Sequence, residues 1–258
     1  MRVLSALLGI PLIICAVWKG GLILLSFIAI VMILGLLEML NLLKNLGLKP
    51  SKAITIVSAL LLLVATYWQD WRVVGMAITL TLVAHLLYLL KDFPRYSPID
   101  AAAGWLAVMY LGLFTYIFLI STLPEGTLWL YMLLVGTWAS DTFAYFVGKT
   151  FGKHKLTPNL SPKKTWEGAM GGLLGSVVAV YIYSAFVISL PLNYVFLLGL
   201  LISITSQFGD LVESTLKRHA SLKDSGNIIP GHGGMLDRFD SMLLSAPLVY
   251  YFVSLFII

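Results

Sequence analysis

Charge is scarce in this chain. Asp, Glu, Lys and Arg make up 11% of its 258 residues, against 59% hydrophobic residues and a mean hydropathy of +0.94. Water-soluble globules carry charge on roughly a quarter of their residues, so that class is excluded. Cysteine is almost missing. Cys15 sits alone inside an apolar run and has no partner for an intrachain disulfide, so packing and backbone hydrogen bonding must hold the fold. Internal repeats and low-complexity tracts are absent as well.

What is present is a series of apolar stretches near the length of a bilayer crossing, roughly 20 residues each. They fall at about 3–18, 21–43, 52–68, 73–90, 99–121, 126–148, 168–190, 193–217 and 236–258. Turn chemistry separates them at Gly20-Gly21, Lys49-Pro50, Pro94, Pro98, Pro124 with Gly126, Pro158, Pro162 and Pro191. The expected fold is all-α, a polytopic integral membrane protein of about nine transmembrane helices. The first stretch with Arg2 has the look of a signal peptide, but no small-residue cleavage pattern closes it, and it is read as a helix. The organisation expected is one membrane domain over 1–258, with motif-free spans in 1–95 and the catalytic spans and loops in 96–258.

Orientation follows from the basic residues, which accumulate on the cytoplasmic side. With the N-terminus inside, every Lys and Arg except Lys19 and Arg72 falls on that side. This accounts for the formal net charge of +5 without a nucleic-acid partner. The acids gather there too: Asp92, Asp100, Asp141, Glu167, Asp210, Glu213, Asp224, Asp237 and Asp240, leaving Asp70 and Glu125 outside. The positive-inside rule does not govern carboxylates, so their gathering needs another reason, and an active site facing the cytoplasm supplies one. Trp18, Trp68, Trp71 and Trp129 fall near the outer ends, where aromatic belts form. Glu38 and His85 lie within spans, each expected to make one interhelical hydrogen bond.

The segment from Ser206 to Ser241, SQFGDLVESTLKRHASLKDSGNIIPGHGGMLDRFDS, concentrates charge of both signs. Ions at membrane depth are costly and mark sites that bind ions or charged substrates. If the eighth span runs to about Arg218, Asp210, Glu213 and Lys217 share a helix face, which alone reads as an intrahelical ion pair. Asp237 and Asp240 open the ninth span, where a carboxylate is a natural cap. The glycine-rich turn Gly231-His232-Gly233-Gly234 could bring backbone N–H groups to phosphate, though such turns are more often tight connections. His232 has no second His or Cys at ligand spacing, which disfavours zinc. Oxygen-only donors point to a hard cation such as magnesium, working together with substrate phosphates.

Ser214, Leu216, Lys217-Arg218, Lys223-Asp224, Gly226, Ile229-Pro230, His232-Gly233-Gly234-Met235 and Asp237-Arg238-Phe239-Asp240 resemble the signature of the phosphatidate cytidylyltransferase family. The stretch from Thr137 to Gly172, with its SPKK element and Glu167-Gly168, is similar to that family too. The resemblance implies cytidylyl transfer from CTP to phosphatidic acid in phospholipid synthesis at the cell membrane, with CTP, phosphatidic acid and membrane lipids as partners and a homodimer as the assembly. It further implies Mg2+, in a two-cation centre, with Asp210 and Asp237 as foremost ligands and Asp141, Glu213 and Asp240 behind them. Asp237, Asp210, Lys223 and Arg238 would be catalytic. Lys217, Arg218, Ser214, His232, Gly233, Gly234, Ser161, Lys163 and Lys164 would contact substrate. Lysines at 149, 153 and 155 read as topology anchors. Two alternatives stay open: another CTP-dependent lipid enzyme, dolichol kinase-like or an archaeal-type lipid cytidylyltransferase, and a transporter, which would more commonly hold its site at the bilayer midplane.

Overall fold

A computed structural model describes residues 2–229 and 233–258, and among these the chain is nearly all helical. The helices are α1 (Arg2–Lys19), α2 (Gly21–Asn45), α3 (Lys52–Tyr67), α4 (Trp71–Lys91), α5 (Pro98–Gly112), α6 (Thr115–Ser121), α7 (Gly126–Phe151), α8 (Trp166–Tyr183), α9 (Leu192–His219) and α10 (Leu236–Phe256). Six helical stretches among the described residues are long and apolar enough to cross a membrane: Gly21–Asn45, Trp71–Lys91, Pro98–Ser121, Trp166–Ile188, Leu192–His219 and Leu236–Phe256. Leu7–Lys19 and Lys52–Tyr67 are shorter apolar helices. The chain is an integral membrane protein.

The all-α expectation needs one correction. The basic loop after α7 folds into an antiparallel hairpin, β1 (Lys155–Thr157) and β2 (Ser161–Thr165), with Lys155 opposite Thr165 and Thr157 opposite Ser161. Pro158 and Pro162 lack the N–H groups a helix needs there. Two expected continuous spans are also interrupted. The stretch 99–121 breaks after Gly112, where Thr115 Oγ1 donates to the Gly112 carbonyl at 2.7 Å. The stretch 168–190 ends in a π-helical turn, Ser184–Ile188, whose Ser184 hydroxyl accepts from Leu190 N at 3.0 Å.

Helix starts follow the local chemistry. Asp70 caps α4 by accepting from Arg72 N at 2.8 Å. Ser97 and Asp100 form a capping box at α5 with Pro98 in the first turn, and Asp100 also accepts from Lys49 N at 2.6 Å. Asp100 therefore serves the fold, and its place among the clustered acids needs no active site. Trp129 departs from the belt expected for it: it is buried, and its Nε1 donates to the Pro124 carbonyl at 2.9 Å. His85 bonds within its own helix, Nδ1 to the Thr81 carbonyl at 2.7 Å, and packs against Gly104.

The chain divides into two compact units, and the division does not follow the motif content. One unit comprises residues 1–119 together with 216–238; the other comprises 120–215 together with 239–258. The first therefore joins the N-terminal spans to most of the charged segment. Its core includes the α2 stripe Leu24, Ile28, Val31, Met32, Leu36, Met39 and Leu43, spaced to lie on one helical face. In the second unit α7 packs along α8. Gly168, Gly171, Gly172 and Gly175 let the two backbones approach: a Cβ at Gly171 would stand 2.6 Å from Val147, and one at Gly172 2.9 Å from the Ser140 carbonyl.

Candidate active site

Each unit carries its own group of charged and hydroxyl side chains. In the first unit the group is built from the end of α9, the loop that follows and the start of α10. Lys217, in the last turn of α9, reaches beyond its own helix. Its Nζ meets Asp237 Oδ1 at 2.5 Å, with side chains only 11% and 6% exposed. The other Asp237 oxygen, Oδ2, accepts from Ser225 N and Ser225 Oγ, both at 2.9 Å, and from Gly234 N at 2.8 Å. A carboxylate so neutralised and so fully hydrogen-bonded is compatible with its burial.

Asp237 is not the cap of α10. That task falls to Glu38, from α2, which is 4% exposed. Its Oε1 accepts from Met235 N and its Oε2 from Leu236 N, both at 2.8 Å, and Oε2 also contacts Ser225 Oγ at 2.9 Å. The single interhelical bond expected of Glu38 is thus a set of three. Glycine is required around it: a Cβ at Gly226 would stand 2.6 Å from Glu38 Oε1, and one at Gly234 would collide with Ser225 Oγ and Glu38 Oε2. Gly233 sits at φ +86°, and its added Cβ would lie 2.8 Å from Asp237 Oδ2. These glycines bring the loop onto two carboxylates of the protein itself, and the Gly234 amide is spent on Asp237.

The other described Lys and Arg side chains of the charged segment in this unit lie at the surface. Arg218 is exposed, with Nη1 donating to the Leu222 carbonyl at 3.1 Å; Lys223 and Arg238 are exposed. His232 lies outside the described residues, as do Pro230 and Gly231.

In the second unit Lys164, from β2, reaches Asp210 on α9: Nζ to Oδ2 is 2.7 Å, and the aspartate side chain is 37% exposed. Ser214, one turn further along α9, donates to Asp210 Oδ1 at 3.2 Å. Asp141 is exposed on α7 and accepts from Ser206 Oγ at 3.5 Å. Glu213 is wholly buried, and Asp240 is buried with Oδ1 accepting from Ser241 N at 2.7 Å. Thr165 caps α8 through Gly168 N at 3.1 Å, while Glu167 accepts from Lys153 N at 3.1 Å and meets His154 Nδ1 at 2.6 Å. These contacts fix both ends of the hairpin and so the height of Lys164. Ser161 and Lys163 lie on the same strand, with Lys163 exposed.

Among the described residues no three His, Cys, Asp or Glu side chains gather as a metal cage. The donor chemistry nonetheless suits magnesium, which is usually held by one or two carboxylates plus substrate phosphates. Asp210 and Asp237 each already hold a cation, the ammonium of Lys164 or Lys217. Sequence reasoning missed two members of these groups, Glu38 as a multiple acceptor and Ser225. Its one usable signal was an ionisable residue inside an otherwise apolar span.

Long apolar helices, with a lysine-paired carboxylate in each unit, define an integral membrane protein. The chain belongs to the cytidylyltransferase family, whose model matches residues 1–256. Among curated relatives it is similar to the phosphatidate cytidylyltransferase of Staphylococcus aureus (strain COL), 36% identical over 253 residues and covering 96% of each chain. It is also similar to that of Staphylococcus epidermidis (strain ATCC 35984), 36% identical over 259 residues with 96% of each chain covered. A third, from Bacillus subtilis (strain 168), is 48% identical over 155 residues, 58% of this chain and 57% of the relative.

Proposed function

We propose that this membrane enzyme is a phosphatidate cytidylyltransferase, converting CTP and phosphatidic acid to CDP-diacylglycerol and pyrophosphate. The observation that carries the reading is the pair of lysine-neutralised aspartates, Lys164–Asp210 and Lys217–Asp237, in a chain of this family. An oxygen of the lipid phosphate attacks the α-phosphorus of CTP. A P–O bond forms there, the α–β bridging P–O bond breaks, and pyrophosphate leaves with the electron pair. The nucleophile is already an anion, so no general base is needed. The difficulty is bringing two anions together, which cationic groups address by neutralising charge and holding the reactants in line.

Lys217 and Lys164 are the proposed phosphate-binding cations, with exposed Arg218, Lys223, Arg238 and Lys163 recruiting the polyanionic nucleotide and the headgroup. Ser214 and Ser161 add hydroxyl donors, and Gly233 and Gly234 shape the loop. Magnesium would be held at Asp237 in the first unit, and at Asp210 in the second with Asp141, Glu213 and Asp240 supporting; when bound it neutralises phosphate charge. The site is proposed to face the cytoplasm, with α1, α3 and α7 added to the six long spans to give nine crossings and a cytoplasmic N-terminus.

The test is to supply detergent-purified protein with phosphatidic acid, magnesium and CTP labelled at the α-phosphate. Label entering the chloroform phase as CDP-diacylglycerol, abolished by EDTA and restored by magnesium, is expected. Transfer of γ-label to a lipid alcohol would establish the kinase alternative, and no transfer of either label by folded protein would overturn the proposal.

A further inference from the structure

We infer that Glu38 is a positioning residue for the transfer reaction, through which the N-terminal spans set the geometry of Asp237; the inference rests on Asp237 belonging to the active site. Glu38 lies in the C-terminal half of the apolar helix α2, far from the charged segment in sequence, yet among the described residues its three hydrogen-bond donors come from that segment. Two are the Met235 and Leu236 amides at the start of α10, groups that have no partner within their own helix. A carboxylate there also meets the positive end of the helix dipole. Glu38 thereby fixes the first turn of α10, and Asp237 is in that turn.

The third donor links the two carboxylates directly. Ser225 Oγ stands 2.9 Å from Glu38 Oε2 and 2.9 Å from Asp237 Oδ2, so one hydroxyl proton lies between them. With Oδ2 held by Ser225 and Gly234, Oδ1 is turned to Lys217. Moving Glu38 would move Ser225 and the α10 amides together, and with them the Asp237 carboxylate. A stabilising cap alone would not require the Ser225 link, nor glycine at both 226 and 234 to let the loop close on the Glu38 side chain.

The experiment compares full-length Glu38→Gln, Ser225→Ala and Asp237→Asn in nanodiscs, below their melting temperatures, reading kcat, the KM for CTP and amide hydrogen exchange across 233–238. Glu38→Gln replaces one acceptor by an NH2 group facing donors. It is expected to lower kcat about 10- to 100-fold, the range for residues that orient reacting groups, with KM for CTP changed by less than about threefold and faster exchange at Met235 and Leu236. Ser225→Ala removes the link and leaves the cap, so kcat falls about tenfold while the 235–236 amides stay protected. Asp237→Asn should abolish turnover and also leave those amides protected. Wild-type kcat in Glu38→Gln with Asp237→Asn inactive overturns the role of Glu38 and leaves the proposed function standing. Should Glu38→Gln not fold, wild-type kcat in Ser225→Ala overturns it instead. Full turnover in Asp237→Asn removes Asp237 from the site, and the inference with it.

Discussion

Lys217 and Asp237 show how much a single contact carries. At 11% and 6% exposure neither side chain has water to fall back on, so removing Lys217 leaves Asp237 as a buried carboxylate without its cation. Truncating one partner of such a pair costs about 3–5 kcal/mol. Lys217→Met should therefore lower the thermal midpoint in detergent as well as abolish turnover, while Lys217→Arg retains the fold; a Lys217→Met protein melting with wild-type would show that the pair does not matter to stability. Lys164 and Asp210 differ in degree. That aspartate is partly exposed, and Lys164→Gln is expected to raise the KM for CTP about tenfold, the loss of roughly one charge-assisted contact, with an unchanged melting curve.

At the scale of elements, small residues decide which surfaces can meet. The stripe Gly168, Gly171, Gly172 and Gly175 places α8 directly on α7, and Gly171 has no room for a methyl group against Val147. Forcing extra carbons into such a contact costs about 1–3 kcal/mol or more. Gly171→Leu should sharply reduce the yield of monodisperse protein by size-exclusion chromatography, whereas Leu174→Ala, on the exposed side of the same helix, should not. The helices themselves were legible from apolar runs and turn residues, and α9 and α10 follow the expected spans closely. The β1–β2 hairpin was not, because a short lysine-rich loop satisfies topology rules whatever its backbone does, and pairing of Lys155 with Thr165 depends on register that no periodicity announces.

For the whole molecule, orientation is the open variable with the simplest reading. In a Cys15→Ser background, Lys44→Cys should react with impermeant maleimide only from the cytoplasmic side and Trp71→Cys only from outside; labelling of both from one side would overturn the nine-crossing topology. The homodimer implied by family resemblance is checked by mass photometry of nanodisc-reconstituted protein. By itself the sequence determined the membrane environment, the helix positions and the charged segment, because hydropathy and turn chemistry are local properties. Its motif also singled out Lys217, Asp237 and the glycines. Tertiary structure alone decided their partners: Lys217 reaches Asp237 twenty positions away, Gly234 gives its amide to a carboxylate, and Glu38 closes on residues nearly two hundred positions away. The physical reason is that a buried carboxylate must be satisfied by whatever donors the fold brings to it, and spacing along the chain does not record which donors those are.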